Sequence, residues 1–430
     1  MRHAAVTCNE ENSAFTGSGN SPEVPPLSTS SWRQKPLSAD ESDKVRRILE
    51  ACRDGDVDSL RQLAASEGGL IEDEVRRTAW PILLGCDPNQ DGVEPGEWVS
   101  VEAHRDESQV ELDVNRSFIF YPREESDERK EARKRELSRV ITEVLRQNPM
   151  LNYFQGYHDI VQVLLLVLGA NAAVPAVARL SLLRIRDFML PSMSGTEAHL
   201  RILPSILHDV DPVLCTHLSQ TQPFFALAAT LTLYAHEIED YGEIARLFDF
   251  LLANEAAISL YLFAEIVIAR KSELMEIDAD EPEMLGAVLS KLPKPLHLES
   301  LIQRTLDTFR KHPPDQLSGR VWERVSSHSV LKTTRDFQQL VNQTLEDGRL
   351  MFAKYDAEIK RKDAWMRQKQ RARQMVKRYN RPATYTSLAV VFAVVAYLLR
   401  TTCDARPASF LALSVGIQQK ALSIFRHYFA

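Results

Sequence analysis

The sequence predicts an all-α protein, and three observations carry that prediction. Apolar residues recur at helical rather than alternating spacing. Asn-Gly and Asp-Gly hairpin signals between alternating apolar runs are missing. Prolines fall between the apolar segments, at Pro149, Pro191, Pro212, Pro223, Pro293, Pro313 and Pro314, where they stop helices rather than kink them.

The elements follow in order. Residues 1–40 read as a disordered arm: Ser, Gly and Pro dominate through Pro36, and Met1–Asn20 has no apolar core of a signal peptide. Residues 41–66 hold short N-terminal helices. With Ser42 as N-cap, Val45, Ile48, Leu49 and Cys52 fall at i, i+3, i+4 and i+7 and make one apolar stripe. Asp54-Gly55 punctuates before a short helix at Leu60–Ala65. The main helical domain is expected over 67–314, with helices at Ile71–Leu84, Glu124–Asn148, Tyr157–Gly169, Val174–Phe188, Ala198–Asp209, Phe224–His236, Gly242–Leu252, Ala256–Arg270, Pro282–Lys291 and Leu298–Arg310. Within Glu124–Asn148 the amphipathic face is Leu137, Val140, Ile141 and Val144. The best strand candidate, Ser117–Tyr121, is too short to build a sheet.

Composition narrows the function classes. The chain has 430 residues, 44% hydrophobic and 26% charged, enough apolar content for a sizeable core. Its net charge of −7 argues against a general nucleic-acid binder. Cys8, Cys52, Cys86, Cys215 and Cys403 are scattered without metal-ligand or disulfide spacing. No G-x-x-x-x-G-K-[ST] is present, so no nucleotide cofactor of its own is expected, and no metal.

Two short polar signatures offer chemistry. The first is Val110-Glu-Leu-Asp113-Val-Asn-Arg116, in which Asp113 and Arg116 are i and i+3 on a helix, so the carboxylate can hold the guanidinium in a fixed pose. The Phe118-Ile-Phe-Tyr-Pro122 run after it is expected to anchor the helix end in the core. The second is Tyr153-Phe-Gln155-Gly156, on a short extended connector where period two places Tyr153 and Gln155 on one side. An arginine and a glutamine are the side chains phosphoryl transfer draws on. Taken one at a time, each signature also reads as an ordinary surface ion pair or loop cap. His158 and Asp159 lack a nucleophile motif and read as buried structural groups. Arg76 and Trp80 read as a cation–π or core-anchoring pair, and Arg246 with Asp249 as a structural i, i+3 salt bridge.

Together these elements resemble the TBC domain family, the GTPase-activating proteins for Rab-type small GTPases. Four appear in the family's order: Arg76-x-x-x-Trp80, Val110…Asp113…Arg116, Tyr153…Gln155-Gly156 and Arg246…Asp249. Val110 departs from the usual Ile, Ser117 from Thr and Tyr157 from Met, and none of these removes a catalytic group. The resemblance implies a dual-finger mechanism in which Arg116 and Gln155 act in trans on a Rab-type GTPase in its GTP form, the partner carrying GTP and Mg2+. Asp113 would orient Arg116, and Tyr153 would support Gln155 or touch the GTPase. A non-catalytic Rab-binding membrane scaffold is the competing expectation. Ser66-Glu-Gly-Gly-Leu70 and Tyr153–Ile160 resemble the tail-anchored subtype of the endoplasmic reticulum within that family.

The C-terminal third supplies the anchor this implies. Residues 315–381 read as a helical linker ending in a basic stretch, Lys360–Arg381, with ten Lys or Arg against one acid. Ala383–Leu399 carries no charge over seventeen residues. At ~1.5 Å per residue it is roughly 26 Å long, near the roughly 27 Å hydrocarbon of the endoplasmic reticulum. The basic flank places the domain on the cytosolic face of that membrane or of the early Golgi, with 400–430 as a short tail. A buried core helix is the alternative for 383–399. Phe410–Phe425 is amphipathic and reads either as a surface helix or as a second span.

Overall fold

The computed structural model describes residues 23–87, 97–123 and 125–403, the side chains of 97, 377–388, 399 and 401–403 excepted. The chain divides into two units, Met1–Ala357 and Glu358–Ala430. The first is helical throughout, with no strand among the described residues.

Two helices form its centre because they are apolar all round. Tyr157–Leu168 buries every residue except Asp159, and Ile258–Ala269 buries Ile258 through Val267. The amphipathic helices pack onto them by one stripe. Asp127–Gln147 turns Leu137, Val140, Ile141 and Val144 inward, as the sequence pattern requires, and lies against Tyr157–Leu168 and Ala170–Arg179. Leu298–Lys311 lays Leu298, Leu301, Ile302 and Thr305 on Ile258–Ala269.

Several expectations are corrected. Residues 23–33 of the expected disordered arm are packed on the domain. Val24 and Leu27 are buried, the Leu27 amide donates to Leu166 O at 2.7 Å, and the Thr29 hydroxyl donates to Glu74 at 2.6 Å. The rest of that arm, 1–22, lies outside the described residues. The first helix, Ala39–Asp54, is capped by Ser38 rather than Ser42, because Glu41 three residues on completes a reciprocal capping box. Ala198–Asp209 is two helices, Ser194–Leu200 and Leu203–Val210. Val174–Phe188 begins as the helix Ala170–Arg179, which widens into a π turn at Leu180–Arg184 and ends as a tight turn, Arg186–Met189. Phe224–His236 breaks at Leu233 and Tyr234, both at positive φ, which delivers the buried Tyr234 hydroxyl to Ser259 O at 2.7 Å. The Phe118–Tyr121 run is only half core: Phe118 and Tyr121 are buried, whereas Ile119 and Phe120 are exposed.

After Pro314 the chain runs through short turns and the short helices Val330–Thr333 and Phe337–Asn342 to a long helix at Leu345–Cys403. Its second-unit part exposes Trp365, Met366, Met375 and Val376 among the basic residues. The expected transmembrane helix at 383–399 is not found as such, for among the described residues no helix is long and apolar enough to cross a membrane. The buried-core alternative is excluded as well, because Val390, Val391, Phe392, Val394, Val395, Tyr397 and Leu398 are all exposed. Phe410–Phe425 lies outside the described residues.

Replacing Tyr234 by Phe removes the hydroxyl's bond to Ser259 O, a carbonyl that also lies inside the helix Ile258–Ala269 and keeps its intrahelical donor. The net loss of one such hydrogen bond is about 0.5–1.5 kcal/mol, so Tyr234→Phe is expected to lower stability by that amount in chemical denaturation. An unchanged midpoint would show that this hydrogen bond adds nothing to stability.

Candidate functional site

The site begins with an aspartate on the wrong face of its helix. In Glu107–Asn115, Val110, Asp113 and Val114 fall at i, i+3 and i+4 and all point inward. The valines carry the Asp113 carboxylate into the core, where its side chain is 1% exposed. A buried carboxylate must be satisfied, and this one is. Oδ1 accepts from Gln109 Nε2 at 3.1 Å and from Arg116 Nη2 at 2.5 Å, and Oδ2 accepts from the Tyr153 hydroxyl at 2.9 Å. Arg116 caps the helix C-terminally, and its side chain remains 53% exposed. The guanidinium is therefore gripped at one nitrogen and presented to solvent by the rest.

The Tyr153 loop is bound to the same helix by residues that precede it. His104 Nε2 contacts Leu151 O at 3.0 Å, and Arg105 donates to Pro149 O and Leu151 O, both at 2.7 Å. The Tyr153 amide donates to Asp106 Oδ2 at 2.9 Å. Two signatures forty residues apart in the chain are thus laced together through backbone groups. His104, Arg105, Asp106 and Gln109 have no motif spacing in sequence, since most of their acceptors are carbonyls and carry no side-chain signature.

Tyr153 and Gln155 do not share a side, as period two implied. The extended connector ends in a turn closed by the Tyr157 amide on Phe154 O at 3.1 Å, so Tyr153 turns inward to Asp113 while Gln155 is exposed. No hydrogen bond among the described residues engages the Gln155 side chain. Gly156 makes the turn possible. Its φ is 99°, and a Cβ there would lie 2.5 Å from Thr232 Cγ2.

Behind Tyr153, a polar chain runs to the surface. His158, buried as expected, places Nδ1 3.1 Å from the Tyr153 hydroxyl. The Tyr153 hydroxyl donates to the Asp113 carboxylate, and the same hydroxyl oxygen lies within hydrogen-bond reach of His158 Nδ1. Asp159 follows, with His158 Nε2 at 3.3 Å and His236 Nδ1 at 2.9 Å. Burial pushes His158 below its ordinary value of 6.5, against the pull of Asp159 and Asp113. The hydrogen bond to Asp159 lifts His236 above 6.5. Tyr153 is raised, first by burial and then by the Asp113 charge, so its hydroxyl keeps its proton.

The other motif residues form a separate cluster. Arg76, 2% exposed in its side chain, donates from Nε and Nη2 to Asp249 and from Nη1 to Asp73 at 2.9 Å. Burial works to strip its proton, but Asp249 and Asp73 outweigh that and raise it. Trp80 Nε1 and the Leu70 amide also donate to Asp249, at 2.8 and 2.9 Å. Trp80 is the core anchor expected; the cation–π partner of Arg76 is Trp32 instead. The expected Arg246–Asp249 bridge is corrected. Arg246 pairs with Glu299 at 2.6 Å and with the carbonyls of Ala64 and Ser66, because Arg76 already occupies Asp249. Gly69 sits so close that a Cβ would meet Asp249 Oδ2 at 2.5 Å. These four residues brace the fold and take no part in the Arg116 site.

An all-helical domain that offers a braced arginine and an unpartnered glutamine from adjacent surface segments belongs to a recognisable class. A model of the Rab-GTPase-TBC domain matches residues 73–275, which contain both signatures together with Arg76, Trp80, Arg246 and Asp249. TBC1 domain family member 20 of Bos taurus is 36% identical over 307 residues, covering 70% of this chain and 76% of that protein. The Homo sapiens protein of the same name is 35% identical over 307 residues with the same coverage. GTPase-activating protein gyp10 of Schizosaccharomyces pombe is 29% identical over 316 residues, covering 73% and 83%. The chain belongs to the Rab-GTPase-TBC domain family.

Breaking the buried ion pair leaves Asp249 uncompensated, so Arg76→Ala is expected to cost about 3–5 kcal/mol in denaturation. Arg116→Ala removes a half-exposed partner and leaves buried Asp113 with two neutral donors, Gln109 and Tyr153, so its cost should be smaller, about 1–3 kcal/mol. Equal losses would mean that the two clusters do not differ in this way.

The two histidines contribute to stability with opposite sign. The raised His236 contributes most below pH 6.5, and that contribution is lost as pH rises through its folded value. The lowered His158 contributes fully above pH 6.5 and less as pH falls below it. NMR titration should find His236 above and His158 below 6.5, and the reverse order would refute the network as drawn.

Proposed function

We propose that this protein accelerates GTP hydrolysis by Rab-type small GTPases, supplying Arg116 and Gln155 in trans. The observation that carries the reading is the pairing of a guanidinium held by buried Asp113 with an exposed, unpartnered Gln155 on a loop tied to the same carboxylate through Tyr153. The nucleotide and its Mg2+ belong to the partner. Arg116 would neutralise charge developing on the phosphates, and Gln155, with an amide oxygen and an NH2, would orient the attacking water. The family and the naming of the Schizosaccharomyces pombe relative as a GTPase-activating protein support this.

Arginine needs both charge and position here, and the fold provides position. An arginine supplied in trans is worth roughly 10³–10⁵ in kcat, a range taken from Ras and its activator, or about 4–7 kcal/mol. Asp113 and Tyr153 act through Arg116 and Gln155 and are positioning residues.

The same reading has the protein act at an internal membrane of the early secretory pathway, with its helical domain in the cytosol. The ten cations of Lys360–Arg381 support attraction to anionic head groups there.

Single-turnover hydrolysis with a panel of GTP-loaded Rab proteins tests the activity. Wild type should accelerate at least one member, and Arg116→Ala and Gln155→Ala should each lose most of the stimulation, ~10²-fold or more, while remaining folded. Binding without acceleration by wild type would make the protein a scaffold instead.

A further inference from the structure

The apolar run after Arg116 is built to face outward. Phe118 is buried at φ +58°, a backbone state unusual for an aromatic residue, and its amide is held by Gln162 Oε1 at 3.0 Å. Three residues on, the buried Tyr121 donates its hydroxyl to Ala235 O at 3.3 Å. Pinned at both ends, the chain turns the two side chains between them into solvent: Ile119 is 73% exposed and Phe120 39%. Leu112, one helical turn before Arg116 on the same helix face, is 65% exposed. Three large exposed apolar side chains thus lie within four residues of an exposed arginine on a rigid mount.

We propose that Leu112, Ile119 and Phe120 form the apolar docking ridge that seats a GTP-bound small GTPase on this site, an inference that rests on the activator reading above. Distance decides the occupant. Ile119 and Phe120 are three and four residues from Arg116, hence at most about 11 and 14 Å away along an extended chain. A standard interface of roughly 800 Å² per partner, drawn as a disc, has a radius of about 16 Å. A folded partner whose footprint is centred on Arg116 therefore covers the ridge. The partner surface facing it must be apolar, because exposed aliphatic and aromatic side chains gain nothing from a charged cover. The ridge supplies affinity, whereas Arg116 and Gln155 supply the rate.

The test is I119S/F120S in the full chain, with its melting temperature as the folding control. With a GTPase that wild type activates, the half-saturating concentration should rise at least tenfold, while the rate constant at saturation stays unchanged. In an Arg116→Ala background, binding to the same GTPase loaded with a non-hydrolysable GTP analogue should weaken by a similar factor, and I119V/F120L should restore it. An unchanged half-saturation with wild-type activity intact overturns the ridge alone. So does a loss of binding to phosphatidylcholine–phosphatidylserine vesicles with GTPase affinity unchanged, which would make the ridge lipid-facing. Binding by wild type that is ridge-dependent but not accompanied by hydrolysis supports the ridge and overturns the activator reading. No binding to any GTPase overturns both.

Discussion

The arrangement depends on one buried carboxylate. Asp113 lies on the apolar face of its helix between Val110 and Val114, and burying its charge unpaired would be prohibitive. It therefore recruits Arg116 from the next helical turn, Gln109 from the previous one and Tyr153 from a segment forty residues away. Satisfying the carboxylate and assembling the site are the same event. The tyrosine that neutralises Oδ2 also fixes where the Gln155 loop departs, and His104, Arg105 and Asp106 hold the loop's backbone so that the tyrosine cannot swing away.

A second buried carboxylate shows what separates structure from chemistry here. Asp113–Arg116 and Asp73–Arg76 are both i, i+3 pairs of Asp and Arg on a helix. Arg76 is enclosed, and Nε, Nη1 and Nη2 all reach carboxylates, leaving nothing to offer a ligand. Arg116 uses one nitrogen and keeps the others in solvent. The local sequence is the same, and the opposite roles come from exposure, which is set by the helix position: Arg76 sits inside its helix facing the core, and Arg116 is the residue on which its helix ends.

That distinction explains what could be read before the coordinates. The helical class, the inward face of Asp127–Gln147 and the Asp113–Arg116 grip follow from periodicity, which is local and therefore visible in sequence. The partners of Asp249 and Arg246 were not visible, because several acidic groups compete for each arginine and only tertiary packing decides. Residues 23–33 were misread for the same reason: their composition is that of a disordered arm, but Thr29 and Trp32 find partners in Glu74 and Asp73 that no local rule announces. The direction of Gln155 was missed through the turn at Phe154, which ends the extended run one residue early.

The asymmetry between the two exposed side chains has a physical logic. A guanidinium has five donors and a long flexible stem, so holding it at one nitrogen removes much of its rotameric freedom while leaving four donors for an incoming acceptor. The hold also comes from a carboxylate, which keeps the positive charge paired and, on the proposed activator reading, would let it turn toward the stronger negative field of a nucleotide. A glutamine amide has no charge to keep in check and only two groups with which to orient a water. Any resident hydrogen bond would have to be broken before it could do so. Leaving Gln155 unpartnered on a braced loop, with its position set by Tyr153 and Gly156 rather than by its own amide, keeps both groups available.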